Sequence, residues 1–274
     1  MLSRAEQPQH VDAVDQTRRG VILHAESLVG LAHLRPESVD LAYIDPPFNT
    51  GSDRRGRAAR FADRFESAAE YVAFIRARVA ALHALLRPEG SLLLHCDWRH
   101  SHHLRLLLDE LFGPERFVNH LIWAYGLGGS GPRSFARKHD DILFYAKGAD
   151  YWFEAPRIPA TSRRMQGRSK KATDVLQVPS INNAAAERTG YPTQKPLALL
   201  RMLVGACCPP DGLVVDCFCG SGTALVAAVE LGRRAVGIDC DETAVAIARR
   251  RLALAEPRAP AETGRPATTD GELS

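Results

Sequence analysis

Apolar residues fall into short runs separated by stretches of helical spacing, and the alternation is regular enough to sketch a fold. VDLAYID (Val39 to Asp45), GSLLLHCD (Gly90 to Asp97), HLIWAY (His120 to Tyr125), DILFYA (Asp141 to Ala146), LVVDCF (Leu213 to Phe218) and AVGID (Ala235 to Asp239) have the length and content of strands. Between them the periodicity predicts helices over Ala68 to Leu86, His102 to Phe112, Pro196 to Ala206, Thr223 to Leu231 and Glu242 to Leu254, with Pro88 and Gly113 as stops for the first two. Strand, helix, strand in succession requires crossovers, which predicts an α/β fold built on a doubly wound, mainly parallel sheet. Several strands end in an acid, at the edge where such sheets place ligands.

The pattern loosens between Gly126 and Ser180 into GLGGSGPRS and IPATSRRMQGRSKKATD, which reads as an inserted recognition segment with one convincing strand. That divides the chain into a polar arm (1–19), a first half-domain (20–125), the insertion (126–180), a second half of the same domain (181–255) and a disordered tail (256–274).

At 274 residues and 30.0 kDa the chain suits one large domain with an insertion. A hydrophobic share of 45%, a charged share of 24% and a mean hydropathy of -0.18 give it enough apolar surface for a core and place it among globular chains. No run is long enough to span a bilayer and the amino end lacks a signal's apolar stretch, so a cytoplasmic protein without a membrane is expected. Cys207 and Cys208 are adjacent and Cys217 and Cys219 lie one residue apart, spacings that favour reduced, buried thiols over a disulfide framework or zinc. The net charge of +3 is small, but twelve Lys or Arg face six Asp or Glu between Gly126 and Lys195. The basic charge is therefore concentrated in and beside the insertion, as nucleic acid would demand.

Two stretches carry chemistry. In LVVDCFCGSGTALVAAVELGRRAVGID a strand runs into a glycine turn (Gly220-Ser221-Gly222), then a helix, then a strand ending at Asp239. Glycines let a ligand approach the backbone, and an acid ending the next strand can accept both hydroxyl protons of a ribose. Asp216 could meet a positively charged amino group near the turn, or simply cap the strand. A nicotinamide dehydrogenase is the competing reading, although the third glycine of its motif is missing.

Asp45-Pro46-Pro47-Phe48 follows a strand directly. Two prolines stiffen the turn and remove two donors, leaving the Asp45 carboxylate and the Pro46 carbonyl as acceptors. Such a pair can hold an NH₂ group, and Asp45 can take its proton. Phe48 offers a face for a base extruded from a stack; the alternative is a rigid turn with a core phenylalanine.

Together IDPPFNTGSD, INNAAAERTGYPTQKPLALL and VVDCFCGSGTALVAAVELGRRAVGID resemble the exocyclic-amino DNA methyltransferases that use S-adenosylmethionine, in their β-class order, over about Val21 to Leu252. The resemblance implies a Rossmann-like, circularly permuted methyltransferase fold. It puts Asp45, Pro46, Pro47 and Phe48 at the target amine. Asp216, Cys219, Gly220, Gly222 and Asp239 match the cofactor strand and loop, and Thr193, Gln194 and Lys195 the block beside the cofactor's methionine end, where Lys195 would meet a carboxylate. Glu26 stands near the adenine position, with Ala25 in place of the family's glycine. Arg163, Arg164, Arg168, Lys170 and Lys171 form the candidate DNA cluster, with a solvated loop as the alternative. Double-stranded DNA is the expected partner, with a homodimer and a cognate restriction endonuclease as further expectations.

The resemblance implies adenine N6 over cytosine N4, because the family mainly pairs Asp-Pro-Pro-aromatic with adenine and Ser-Pro-Pro-aromatic with cytosine, although either amine suits the acceptor pair. The chain has no Pro-Cys dipeptide, which argues against covalent cytosine C5 chemistry. RNA or protein-glutamine methylation fits less well because those families place the cofactor motif first. A non-catalytic DNA-binding descendant of the fold is the alternative from another class. His95, His100, His102 and His103 lack a metal-binding motif, so no metal is expected.

Overall fold

A computed structural model describes residues 13–16, 19–55, 60–126, 131–160, 164, 166–182 and 184–257. Its centre is a nine-stranded sheet in the order β1 (Ala13–Gln16), β2 (Gly20–His24), β13 (Arg234–Asp239), β12 (Leu213–Asp216), β3 (Val39–Ile44), β6 (Leu86–Cys96), β8 (His139–Ala146), β7 (Phe117–Ala124) and β11 (Val175–Gln177). The block from β2 to β6 is parallel, and β8 runs antiparallel between β6 and β7. Two hairpins, β4 (Ser52–Arg55) with β5 (Arg60–Asp63) and β9 (Arg157–Pro159) with β10 (Ser169–Lys171), stand apart from it. The helices are α1 (Ser27–Leu31), α2 (Ala68–Leu85), α3 (Ser101–Phe112), α4 (Leu197–Cys207), α5 (Thr223–Glu230) and α6 (Glu242–Ala253).

Consecutive residues of the central strands feed opposite layers, which is why these strands read as unbroken apolar runs. Tyr43, Leu93 and Val214 join the cluster built with α4, α5 and α6, while Ala42, Ile44, Leu92, Leu94 and Val215 join the one built with α1, α2 and α3. Leu86, in extended conformation, ends α2 two residues before Pro88, which cannot continue a helix. All six cysteines are free, and five are buried.

The structure adds elements that the pattern had not predicted. Residues 13–16, assigned to the polar arm, form β1 and pair antiparallel with β2. An edge strand draws its stability from ladder hydrogen bonds, so AVDQ needs no apolar alternation to form one. Within 126–180, the predicted strand DILFYA is β8, fully integrated in the sheet, and the unpredicted β11 returns to the sheet edge beside β7. The excursion beyond the sheet is therefore two separate stretches, one on each side of β8. Residues 1–12 of the arm and 258–274 of the tail lie outside the described residues.

Candidate active site

β12 and β3 are neighbours, with Val214 opposite Leu41 and Val215 opposite Ala42. From β3 the chain crosses through α2 to β6 on one side, and from β12 through α5 to β13 on the other. Their carboxyl ends therefore open a crevice at a topological switch point, the ligand site of doubly wound sheets. Both motifs open into it, Asp45-Pro-Pro-Phe from β3 and the glycine turn from β12.

The glycine turn is set by backbone. Cys219 N donates to Ile238 O at 3.1 Å and Gly222 N to Cys219 O at 2.7 Å, with Gly220 at φ +50° and Gly222 at φ +76°. A Cβ on Gly222 would stand 2.9 Å from the Ala248 Cβ, so glycine lets α5 start against α6. A Cβ on Gly220 would stand 3.0 Å from Tyr191 Cε1, which belongs to the loop carrying Thr193 to Lys195. Asp239 ends β13 and accepts from Gly220 N (2.8 Å) and Asp241 N (2.9 Å), one bond to each oxygen. Burial, with the nearby Asp241 charge, pushes its carboxyl up to about 6. Asp216 is 3% exposed and accepts from Phe218 N; burial, then the charges of Asp45 and Asp239, holds it well above the usual carboxylate range.

Lys195 arrives from the loop before α4, 150 residues after Asp45, and donates to Asp45 Oδ2. Its Nζ lies 5.2 Å from the centre of the Phe48 ring. The lysine expected at a cofactor carboxylate is thus paired in this structure with the carboxylate of the Pro-Pro turn. Gln194 braces the loop: its side chain bonds Thr189 N, Thr189 Oγ1 and Glu187 O. Thr193 lies on the adjoining turn and is partly buried.

Sequence reading missed the residues that support the Pro-Pro turn. Asp63, 1% exposed, accepts from Asn49 N, Thr50 N and Thr50 Oγ1, which clamps the stretch just after Phe48. Phe48 leans on His95, with ring centres 5.8 Å apart at 30°. His95 is fully buried; its Nδ1 faces the Tyr43 hydroxyl at 3.0 Å and its Nε2 faces Asp140 Oδ2 at 3.2 Å. Burial works to raise Asp140, but the His95 hydrogen bond and charge, with Lys195 and Tyr125, hold it below the usual range. An ionised Asp140 only accepts, so Nε2 donates to it. Trp123 meets the histidine edge-on at 5.6 Å. The available signal was His95 interrupting the apolar run SLLLHC.

Glu26 caps α1, accepting from Leu28 N and Val29 N, and pairs with buried Arg78, whose Nε donates to Ser27 Oγ. Burial raises its carboxyl, but Ser27, Arg78 and the two backbone donors together bring it below the usual range. Arg164 and Arg168 are exposed, and Lys170 and Lys171 lie on β10, with the Lys171 ammonium 5.6 Å from the Phe153 ring. Arg163 lies outside the described residues. Among the described residues no three His, Cys, Asp or Glu gather as metal ligands, and no helix is long and apolar enough to cross a membrane.

A glycine turn, a buried and a half-buried strand-end acid and a proline-stiffened carboxylate beside an aromatic ring define a group-transfer enzyme of the doubly wound class. The chain belongs to the N6/N4 DNA methylase family, whose model matches residues 39–250. It is similar to the type II methyltransferase M.ScaI of Streptomyces caespitosus, with 27% identity over 86% of this chain and 82% of that protein. It is also similar to the DNA adenine methyltransferase YhdJ of Escherichia coli (strain K12), with 25% identity over 85% and 83%. In structure it resembles the cytosine-N4-specific PvuII DNA methyltransferase (TM-score 0.66, 18% identity, 90% of this chain and 89% of that one). It likewise resembles an M1.HpyAVI–SAM complex (TM-score 0.60, 22% identity, 84% and 98%). Both likenesses bear on the fold.

Proposed function

We propose that the protein transfers a methyl group from S-adenosylmethionine directly to the exocyclic amine of a base flipped out of double-stranded DNA, at a specific site, with adenine N6 favoured. The observation that carries the reading is the meeting of the Asp45 turn and the Gly220–Gly222 turn in one crevice. The donor set fits the cofactor. Asp45, Asp216 and Asp239 surround the crevice, which suits a sulfonium and an ammonium, and the strand-end Asp239 keeps a free lone pair on each oxygen for a ribose diol. When bound, S-adenosylmethionine supplies an electrophilic methyl group at this edge.

The chain's own residues do the rest. An exocyclic amine is a poor nucleophile because its lone pair is delocalised into the ring. Accepting both N–H protons, at Asp45 and at the Pro46 carbonyl, fixes the amine with its lone pair toward the electrophile. Phe48, backed by His95, provides the stacking face. Lys195 must yield Asp45 Oδ2 to the amine, and its electrostatic contact with the ionised Asp140 offers the ammonium another anion nearby. Asp45 then takes the proton that the methylated amine sheds. Arg164, Arg168, Lys170 and Lys171, with Arg163, serve as phosphate contacts.

The aspartate heading the Pro-Pro turn supports adenine, as does similarity to a relative named for adenine. Cytosine N4 is the second reading because Asp45 can hold either amine. The proposal extends to a cytoplasmic enzyme acting at the chromosome, as a homodimer, alone or paired with a restriction endonuclease. Incubation with S-adenosylmethionine and unmethylated genomic DNA, followed by mass spectrometry of the nucleosides, tests it. N6-methyldeoxyadenosine is expected; N4-methyldeoxycytidine would overturn the base, and neither product the function.

A further inference from the structure

β3, β6 and β7 all end at the crevice edge of the sheet, and β8 starts there, so the β7–β8 connection leaves from the same edge as the Asp45 turn. With strands about 4.8 Å apart, that connection emerges about 10–14 Å from β3, on the scale of a major groove about 12 Å wide. Its base is firmly built. Tyr125 N donates to Lys138 O at 3.1 Å, Lys138 Nζ donates to Gly126 O at 3.0 Å, and the Tyr125 hydroxyl reaches Asp140, which in turn holds His95 behind Phe48. Arg137 stacks over Trp98, 4.0 Å from the ring centre, and ties the loop to the turn that follows β6.

This base presents a basic segment with an aromatic tip. Residues 131–138, GPRSFARK, carry Arg133, Arg137 and Lys138 and no acid, and all are exposed. At their centre Phe135 is 99% exposed, more than any other large hydrophobic side chain among the described residues. A phenylalanine held in water among three cations, at the catalytic edge, matches the chemistry of an apolar wedge that enters a base step while basic neighbours meet the flanking phosphates. Flipping leaves a hole in the stack, and filling it with an aromatic ring stabilises the extruded state.

We propose that Phe135 enters the duplex and occupies the place of the base delivered to Phe48 and Asp45; this rests on the reading of the site as one for a flipped DNA base. The wedge also assigns the β7–β8 loop a task distinct from that of the β9–β10 cations.

The test uses duplexes carrying the enzyme's mapped methylation site, with the target base correctly paired or opposite a mismatch. Single-turnover methylation is read with S-adenosylmethionine, and 2-aminopurine at the target position reports extrusion. Phe135→Ala is expected to slow methylation of the paired duplex at least about tenfold and to remove the 2-aminopurine rise, with the deficit shrinking to less than about threefold opposite a mismatch, where unpairing is already done. Phe135→Trp should keep most of the rate on the paired duplex. Equal losses on both duplexes, or none on either, would overturn the wedge, as would a change in sedimentation mass, which would make Phe135 a contact between two copies of the chain. Wild-type enzyme inactive on both duplexes would sink the functional reading itself, whereas an active wild type with an indifferent Phe135→Ala variant sinks only the wedge.

Discussion

Cofactor affinity should fall as the solution is made acidic, and Asp239 supplies the magnitude. Its carboxyl stands at about 6, raised from 3.8 by burial, and its charged form is the one that accepts two ribose hydroxyl protons. At pH 7 about nine in ten sites are ionised and at pH 5 about one in ten, so affinity should drop about tenfold across that window. The same shift governs the free protein with a definite sign. Between about pH 4 and 6 the folded state holds the proton that the unfolded state has lost, so stability declines as pH rises through that interval, by roughly 3 kcal/mol in all, and is flat above it. Cofactor binding offsets this at neutral pH. Isothermal titration calorimetry at pH 5, 6 and 7, with Asp239→Asn as control, reads the affinity, and urea unfolding at the same pH values reads the stability. The variant loses charge-assisted hydrogen bonds worth about 1.5–3 kcal/mol each, so it should bind at least tenfold more weakly at pH 7 and vary less than about threefold over the window. Wild-type affinity unchanged from pH 7 to 5, or a variant with the full slope, would refute the assignment of Asp239 to the ribose.

Lys195→Met keeps the stem and removes the ammonium, leaving Asp45 without its cation; thermal unfolding at pH 8 should show a loss of roughly 3 kcal/mol, and a cofactor affinity reduced about tenfold would show that this lysine also serves the ligand's carboxylate. Glu26→Ala breaks both the α1 cap and the buried pair with Arg78, which predicts a stability loss of about 3–5 kcal/mol by urea unfolding; a change under 1 kcal/mol with weakened cofactor binding would reassign Glu26 to the ligand. Gly222→Ala combines left-handed strain with the close approach to Ala248 and should cost about 2–3 kcal/mol, with weaker cofactor binding by calorimetry; an unaltered melting temperature would contradict the packing of α5 on α6. Replacing Arg164, Arg168 and Lys171 together by Gln should flatten the salt dependence of DNA binding by up to about three phosphate equivalents, and an unchanged slope would remove the hairpin from the interface.

The sequence by itself determined the doubly wound core, because burial on both faces and helical spacing leave a pattern in the residues that carry them. Every predicted strand and helix of the core is present, with boundaries within a few residues apart from β6, which begins four residues before Gly90. It also marked Asp45, the glycine turn and Asp239, since tight turns and strand-end acids are local chemistry. The hairpin and edge strands β1, β9 and β10 left no such mark, because a backbone ladder is indifferent to side-chain pattern; β2 and β11 send Ile22 and Leu176 into the core but are too short for that to show as a pattern. The tertiary structure alone decided the partnerships. Lys195 meets Asp45 across 150 residues, Asp63 clamps the Pro-Pro turn from a neighbouring hairpin, and His95 stands behind Phe48 between two strands that are not consecutive. It also showed that Glu26, a ligand candidate, caps α1 and pairs with Arg78. Such contacts depend on how strands are ordered in the sheet, which is set by the packing of the whole core and not by any short stretch of the chain.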